Sequence, residues 1–355
     1  MKMKFYSQKL AYNSLLKEVK KKDKNFKDLE NKYAILRKKI TNLSDNIKLI
    51  KNYEYRNLYD IYRYYGITDE LMNRFLYLEK SCFYWKYFDK RTWLVYISCL
   101  LEKNNRDKAL EILNKYIYYH GLSKIEHFLS VADFADISGY SNDKIKQSAI
   151  VYRELLKSKE ENFLYNYLKN KTIAIVGNAP NIIGTNKGEE IDSHDIVIRF
   201  NNYKIAGYEQ DCGAKTDIWC NGLMSDIEKR DEKYSVVLHG DNAVRRYVPS
   251  PEFLYEALEN NSKICCLSNE YTDELRRLVN YNPTQGFILI YNLSKILKDF
   301  KNIDFYGFNF LQDNFDDICL HYFNDRNVEN EKGRKTTHNF YEEAEFLLKL
   351  IGENK

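Results

Sequence analysis

Six short apolar runs after Lys171, several of them separated by helical patterns, constrain the fold of this chain more than any other feature. The runs are TIAIVGN, HDIVIRFN, TDIWCN, YSVVLHG, SKICCLS and NIDFYGFNF. The later runs are separated by SPEFLYEALENN, NEYTDELRRLVN and TQGFILIYNLSKILKDF, whose apolar residues recur at helical spacing. Strands that alternate with helices predict an α/β fold, with a mostly parallel, Rossmann-like sheet and helices on both faces.

The chain before Lys171 has a different composition. It contains no proline and only three glycines, whereas the rest of the chain holds all four prolines and the other eleven glycines. Amphipathic segments such as DELMNRFLYLEKSCFYWKYF and RDKALEILNKYIYYHG follow one another there. We therefore predict a coiled-coil segment over residues 1–52, an α-helical domain over 53–170 and an α/β domain over 171–355.

Apolar residues repeat in alternating three- and four-residue steps from Tyr12 to Ile50, and only Lys22 interrupts this seam. Such a period is typical of a coiled coil. Residues 1–50 carry 14 Lys and Arg against 5 Asp and Glu. We interpret this charge as the solvated outer face of the coiled coil; contact with an anionic membrane surface is the alternative. The seam predicts a helical partner, either another protomer in a homo-oligomer or the chain's own helical domain.

Two absences in the sequence bear on where the protein works. No run approaches the roughly 18 apolar residues of a membrane-spanning helix, and the N-terminal MKMKFYSQKL lacks the apolar core of a signal peptide. The seven cysteines are scattered and match neither a disulfide framework nor a zinc site. We expect reduced, mostly buried cysteines in a cytoplasmic protein whose membrane contact, if any, is peripheral to the inner membrane.

At three of the predicted strand ends, glycine or asparagine residues could converge on one crevice. Gly177 and Asn178 follow the first strand, Asn201 ends the second and Gly307 ends the sixth. Because ligands bind beyond the carboxyl ends of parallel strands, we expect these residues to share one crevice. The glycines of this region fit neither G-x-G-x-x-G nor the P-loop spacing, which disfavours a generic NAD or ATP site. A glycine followed by an amide side chain suits a base, a ribose or a phosphate.

Four ordered segments resemble the sialylmotifs of the sialyltransferase family. The large motif is similar to residues 173–219, IAIVGNAPNIIGTNKGEEIDSHDIVIRFNNYKIAGYEQDCGAKTDIW, and the small motif to residues 283–308, PTQGFILIYNLSKILKDFKNIDFYGF. The third motif is similar to HYFN at residues 321–324, and His338 with Glu343 matches the very small motif, His-x-x-x-x-Glu. The resemblance spans about half of the chain and leaves residues 1–170 outside it.

The resemblance implies an activity and a fold variant. It implies a GT-A-like, metal-independent enzyme that transfers sialic acid, or a related sugar acid such as Kdo, from a CMP-sugar donor to a glycan acceptor with inversion. Residues 171–355 would then be the catalytic domain, with no cofactor beyond the CMP-sugar. In agreement, no Asp-x-Asp, the usual ligand pair of a phosphate-bridging metal ion, occurs after Lys171.

The resemblance also assigns two catalytic histidines. His338 would be the general base, and His321 would donate to the departing phosphate. Imidazole suits these roles because it titrates near neutral pH. The alternative for His338 is a solvated residue at the start of an amphipathic helix.

A further set of residues would contact the substrates. The set comprises Gly177, Asn178, Asn201, Thr284, Gln285, Gly286, Gly307, Tyr322 and Glu343. The two asparagines would contact the nucleotide, and backbone N–H groups at the predicted helix start after Thr284 suit a phosphate.

The sequence departs from the family pattern at two places. The family's paired motif cysteines are replaced at about Ile173 and Lys298, which fits a reducing cytoplasm and a bacterial enzyme. Gln285 stands where a hydroxyl side chain is usual, so the identity of the transferred sugar acid stays open.

Two other classes of function also stay open. The chain could use a UDP- or GDP-sugar, or it could be a non-catalytic scaffold subunit of a surface-polysaccharide assembly complex. Preferential binding of UMP or GDP over CMP would indicate the first class. Unchanged complex formation after replacement of His338, with no activity to lose, would indicate the second. No nucleic-acid partner is expected.

Overall fold

The computed structural model describes residues 57–63, 65–80, 85, 89–222, 227–228, 230, 232–240, 247–279, 281–308, 322–323 and 339–354. The chain forms two compact units, which divide between Lys124 and Ile125. The predicted coiled coil over residues 1–52 lies outside the described residues and stays a prediction. In the part of the chain that is described, no helix is both long and apolar enough to cross a membrane.

The described part of the first unit is helical, as its amphipathic segments predict. They include α1 (Asp69–Glu79), α2 (Lys90–Glu102) and α3 (Arg106–His120), and residues 57–63 are also helical. Each helix is preceded by a side chain that accepts a hydrogen bond from an N–H of the first turn, namely Thr68, Asp89 and Asn105. Trp93 of α2 is fully buried and stacks on Trp85 with ring centroids 3.7 Å apart.

The second unit is an α/β domain built on a six-stranded sheet. The strands are β1 (Ile173–Val176), β2 (Ile196–Phe200), β3 (Ile218–Asn221), β4 (Val236–His239), β5 (Lys263–Cys266) and β6 (Ile303–Tyr306). The helices are α4 (Leu129–Ile137), α5 (Asp143–Glu160), α6 (Phe163–Leu168), α7 (Gly188–Asp192), α8 (Glu209–Cys212), α9 (Glu252–Glu259), α10 (Asn269–Val279), α11 (Gln285–Leu297) and α12 (Phe340–Asn354). All neighbouring strands are parallel, so the predicted fold class is confirmed.

The strand order determines where a ligand crevice can form. The order is β5-β4-β3-β2-β1-β6. The chain moves strand by strand from β1 to β5 and then crosses to the other side of β1 to form β6. Ile173 of β1 pairs with both Ile196 and Ile303, so β2, β1 and β6 start level. The topological switch point therefore lies between β1 and β6, beyond their carboxyl ends.

Alternate residues of the strands enter cores on opposite faces of the sheet. Ile173 and Ile175 of β1 join a cluster that includes residues of α6, α10, α11 and α12. Ala174 and Val176 point to the other face, into a cluster with Tyr322. Strands β1 to β4 are buried on both faces, which accounts for their nearly continuous apolar runs, whereas the edge strands β5 and β6 are partly exposed.

The domain boundary differs from the predicted one. Leu129 of α4 and Val151 and Leu155 of α5 share a core with Trp219 of β3 and Ile264 of β5. These helices are therefore part of the α/β unit, and the predicted boundary near residue 170 falls inside it. An amphipathic helix has the same apolar period whether it packs on a sheet or on other helices, so the pattern did not place the boundary.

The cysteines within the described residues are free thiols. They are Cys99, Cys212, Cys220, Cys265 and Cys266, and all but the last are buried. Burial raises the pKa of the Cys220 and Cys265 thiols, so both are protonated at neutral pH. The prediction of reduced, mostly buried cysteines agrees with these five.

Candidate active site

The site begins where β1 and β6 end on two glycines. Gly177 N–H donates to the carbonyl O of Tyr306 at 2.8 Å, and Ala179 N–H donates to the carbonyl O of Gly307 at 2.9 Å. A Cβ on Gly307 would lie 2.5 Å from the carbonyl O of Gly177, and Gly307 has a φ of +66°. Both the close approach and the left-handed backbone require glycine. We call the space above these two residues the edge crevice.

Asn178 joins the end of β1 to the end of β2. Its Nδ2 donates to the carbonyl O of Phe200 at 3.3 Å and of Asn202 at 3.2 Å. Its own carbonyl accepts the N–H of Tyr322 at 3.0 Å. Among the described residues, no donor reaches its Oδ1. The side-chain nitrogen therefore holds the loop, and the oxygen is the atom that stays available to a ligand.

Asn201 joins the end of β2 to the end of β3. Its Oδ1 accepts the N–H of Gly222 at 3.1 Å, and its carbonyl accepts Nε1–H of Trp219 at 2.8 Å. Its φ is +45°, a left-handed value that asparagine tolerates better than most residues. Because its side-chain oxygen is engaged within the protein, the predicted contact with a nucleotide would have to use Nδ2.

Helix α11 begins beside the end of β6. A Cβ on Gly286 would lie 3.0 Å from Cε1 of Phe308, the residue that follows the β6 glycine. Thr284 precedes the helix, and its Oγ1 accepts the N–H of Phe287 at 3.3 Å. Within the described residues, the N–H groups of Gln285 and Gly286 have no hydrogen-bond partner. Two such N–H groups at a helix start form a site for an anion.

Glu343 of α12 is held against the start of α11. Its Oε1 accepts the N–H of Thr284 at 2.8 Å, and its Oε2 accepts the Thr284 hydroxyl at 2.6 Å. The side chain is 4% exposed, and burial raises its pKa to about 7, against the opposing effect of the two Thr284 donors. The carboxyl group therefore titrates near neutral pH, next to the N–H groups that would hold an anion.

Glu343→Gln is expected to flatten the dependence of stability on pH. The native carboxyl group binds its proton more tightly than the unfolded one, whose ordinary pKa is 4.5. Its contribution to stability is therefore fully present below pH 4.5 and is lost as the pH rises through about 7. The loss amounts to about 3 kcal/mol of unfolding free energy. Urea unfolding between about pH 5 and 8 measures it for parent and variant.

The control for this prediction is Glu342→Gln. Glu342 is the exposed neighbour on the same turn of α12. This variant should keep the parental slope of stability against pH. A parental slope in Glu343→Gln as well would show that the native pKa of Glu343 is not raised.

Gln285 crosses from the first turn of α11 to the end of β4. Its Nε2 donates to the carbonyl O of Gly240, the residue that follows β4. Gly240 is buried, and a Cβ there would overlap the Gln285 amide. Gln285 was predicted from the sequence as a site residue; Gly240, which ends the run YSVVLHG, was not assigned to the site.

The structure describes Tyr322 but neither of the two proposed catalytic histidines. His338 and His321 lie outside the described residues, so their roles stay predictions. Tyr322 is buried; its hydroxyl donates to the carbonyl O of Lys204, and its ring packs edge-on against Tyr208 with centroids 5.1 Å apart. Burial raises the pKa of Tyr322. Its side chain is engaged in packing, and substrate contact by Tyr322 also stays a prediction.

Part of the chain matches the model of a known protein family. Residues 123–246 match the family model described as Glycosyltransferase family 29 (sialyltransferase). The matched segment, residues 123–246, includes strands β1 to β4 and the large motif, and it ends before the small motif begins.

Curated sialyltransferases are similar to parts of this chain. It is 28% identical over 179 residues to the type 2 lactosamine alpha-2,3-sialyltransferase of Pongo abelii, covering 46% of this chain and 52% of that protein. It is 34% identical over 98 residues to the beta-galactoside alpha-2,6-sialyltransferase 2 of Homo sapiens, covering 28% of this chain and 18% of that protein. The chain therefore spans about half, or less, of the length of these relatives.

A solved structure also aligns with the chain. It is a mammalian sialyltransferase in complex with Gal-beta-1-3GalNAc-ortho-nitrophenol, with a TM-score of 0.41 and 19% sequence identity. The alignment covers 57% of this chain and 76% of that one.

Arg199 is a buried cation in the matched segment, and its contacts were not predicted from the sequence. It is 1% exposed; its Nε donates to Thr216 Oγ1 at 3.0 Å, and its Nη2 donates to the carbonyl O of Cys212 at 2.7 Å. No carboxylate of the described residues pairs with it. The Arg of the Arg-x-Asn motif therefore braces the loop between α8 and β3. An arginine within an apolar strand was the signal that could have revealed this role.

The described members of the predicted site meet along one edge of the sheet. They are Gly177, Asn178, Asn201, Thr284, Gln285, Gly286, Gly307, Tyr322 and Glu343. Nowhere in the described ranges do three His, Cys, Asp or Glu side chains lie grouped as metal ligands would. Metal independence stays a prediction, since residues outside those ranges also belong to the motifs.

Proposed function

We propose that the protein is an inverting glycosyltransferase that moves sialic acid, or a related sugar acid such as Kdo, from a CMP-sugar to a hydroxyl of an acceptor glycan. One observation carries this proposal. The paired glycines Gly177 and Gly307, the amide of Asn178 and the free N–H groups at the start of α11 meet at the switch point of the sheet, in a chain whose residues 123–246 match a sialyltransferase family model.

In the proposed reaction, histidine side chains transfer the protons and backbone N–H groups offset the charge on the phosphate. The acceptor hydroxyl attacks the anomeric carbon from the face opposite CMP, while the bond from that carbon to the phosphate oxygen breaks. His338 takes the hydroxyl proton, and His321 donates a proton to the phosphate. The N–H groups of Gln285 and Gly286 offset the charge on the phosphate, as a metal ion does in metal-dependent transferases.

CMP release tests this function directly. The purified full chain is incubated with CMP-sialic acid, CMP-Kdo, and UDP- and GDP-sugars, with and without a chelator and a mixture of glycan acceptors. We expect CMP to be released from at least one CMP-sugar, without inhibition by the chelator. Turnover of only UDP- or GDP-sugars would contradict the donor class. Turnover of none, together with no binding of CMP, would favour a scaffold subunit.

Asn178→Ala tests the position of the nucleotide. The variant removes the Oδ1 acceptor, and the ligand donor that it would meet is left unpaired, at a cost of about 1–3 kcal/mol of CMP binding free energy. Titration calorimetry compares parent and variant. Because the Nδ2 contacts to the β2 loop are also lost, thermal unfolding must accompany the titration.

Asn166→Ala is the control for Asn178→Ala. Asn166 Nδ2 donates to the carbonyl O of Glu161 at 3.0 Å, so this variant also loses a side-chain bond to backbone, within α6 and its preceding turn. It should bind CMP as the parent does. Equal CMP affinity in Asn178→Ala and the parent would exclude the nucleotide from this end of β1.

A further inference from the structure

A cavity of about 520 Å³ lies at the opposite end of helix α11 from the edge crevice. It is lined by the last turn of α5, the first turn of α6, the end of β5, the first turn of α10 and the last turn of α11. Helix α11 has 13 residues, so its last turn lies about 15–18 Å from Gln285 at about 1.5 Å per residue. The cavity is therefore separate from the proposed catalytic site.

The inner wall of this cavity is apolar. It includes the buried side chains of Leu164 and Leu267, with the partly buried Tyr271, Ile296 and Leu297 packed beside them. The volume lies within the range of pockets that hold small ligands, about 300–1,000 Å³. A sugar or a nucleotide would place polar groups against this wall without partners, whereas an apolar chain would not. The wall therefore favours a ligand with an apolar chain.

Lysines lie at the rim of the cavity, and no Asp or Glu of the described residues lines it. Lys159 and Lys298 are exposed, and no carboxylate in the described ranges pairs with either of them. Lys295 is different, because Glu274 pairs with it at 3.1 Å. Two helices end at the cavity and two begin there, so their terminal dipoles largely offset one another. The two unpaired ammonium groups therefore make the rim positive, which suits an anion.

We propose that this cavity binds a single-chain amphipathic anion, with the apolar chain against Leu267 and Ile296 and a carboxylate or phosphate head paired with Lys159 and Lys298. A short anion would bury too little apolar surface, and a cationic chain would meet like charge at the rim. The ligand is a free monomer, because a monomer can enter a recessed cavity and the face of a bilayer cannot. The inference does not rest on the proposed function, since no lining residue belongs to the edge crevice.

Titration calorimetry of the full chain tests the site with dodecanoate, below the concentration at which it forms micelles. We expect one molecule to bind per chain. Dodecyltrimethylammonium, which has the same chain length and the opposite charge, should bind about tenfold or more weakly. Octanoate, which is four methylenes shorter, should bind about a hundredfold more weakly, since each buried methylene contributes to affinity.

Paired substitutions of the rim lysines test the anion contacts. Lys159→Gln combined with Lys298→Gln should lower dodecanoate affinity about tenfold, and the same pair changed to arginine should keep most of it. The matched control combines Lys144→Gln with Lys146→Gln, two exposed lysines in the first turn of α5, about 20 Å from Lys159. It makes the same change of net charge and should bind dodecanoate as the parent does.

Three results would overturn the inference. The first is a parent that binds no dodecanoate, or binds several molecules without saturating one site. The second is an equal loss in the rim variant and in the Lys144 and Lys146 control, which would show a response to net charge alone. The third is binding to vesicles that contain phosphatidylglycerol without binding to dodecanoate, which would assign Lys159 and Lys298 to a membrane surface. None of these results bears on the proposed function, which CMP release tests separately.

Discussion

Replacement of His338 by alanine is expected to lower the rate of transfer about a hundredfold to ten-thousandfold and to leave the affinity for the CMP-sugar nearly unchanged. A general base acts on the acceptor hydroxyl, so its loss affects turnover and not donor binding. The placement of α12 supports this role. Glu343, in the first turn of α12, is bonded to Thr284 at the edge crevice, and only Asn339 separates His338 from the start of that helix.

The alternative for His338, a residue that only supports the start of a helix, has its own test. The carbonyl of Asn339 accepts the N–H of Glu343 at 3.0 Å, and its Oδ1 accepts the N–H of Glu342 at 3.4 Å. Asn339→Ala removes the side-chain contact and leaves His338 in place. If turnover depends only on the helix start, both variants should lose activity to a similar extent.

The pH profile completes this test. Hydroxide can replace a missing base, so the His338→Ala variant should recover part of its turnover as the pH rises, while Asn339→Ala should not. Parental turnover of His338→Ala at neutral pH, with an acceptor that the parent uses, would end the assignment. His321 would then be the next candidate for the base.

The sequence predicted the α/β unit because parallel strands leave a strong signal. Burial on both faces makes each inner strand a short apolar run, and the order of strands and helices then implies the parallel sheet. The convergence of Gly177 and Gly307 also followed from sequence, because strand ends in such a sheet share one edge. The helices α4 and α5 were assigned to the wrong side of a boundary, since their period is the same in either packing.

The contacts across the site were not predictable in the same way. Gln285 and Gly240 are far apart in the chain and belong to different elements, and neither local period nor residue type indicates that they touch. The bond between Glu343 and Thr284 was likewise invisible, although both residues were predicted for the site. The raised pKa of Glu343 follows from burial, which depends on how α12 packs on α11.

The second large effect is expected at Gly307. Gly307→Ala should destabilise the α/β unit by about 2–5 kcal/mol and abolish detectable CMP binding. Two costs combine in this variant. An alanine at a φ of +66° is strained, and its Cβ would lie 2.5 Å from the carbonyl O of Gly177, so the ends of β1 and β6 must move apart. Urea unfolding and CMP titration measure the two consequences.

Gly184→Ala separates the two costs. Gly184 has a φ of +78° and, among the described residues, no atom within 4 Å of the position that a Cβ would take. It should therefore show the backbone cost alone, about 1–2 kcal/mol, with CMP affinity unchanged. The difference between the two variants gives the cost of separating the strand ends. If Gly307→Ala were no worse than Gly184→Ala and still bound CMP, the close approach of β1 and β6 would not shape the edge crevice, and the nucleotide would have to bind elsewhere along the sheet.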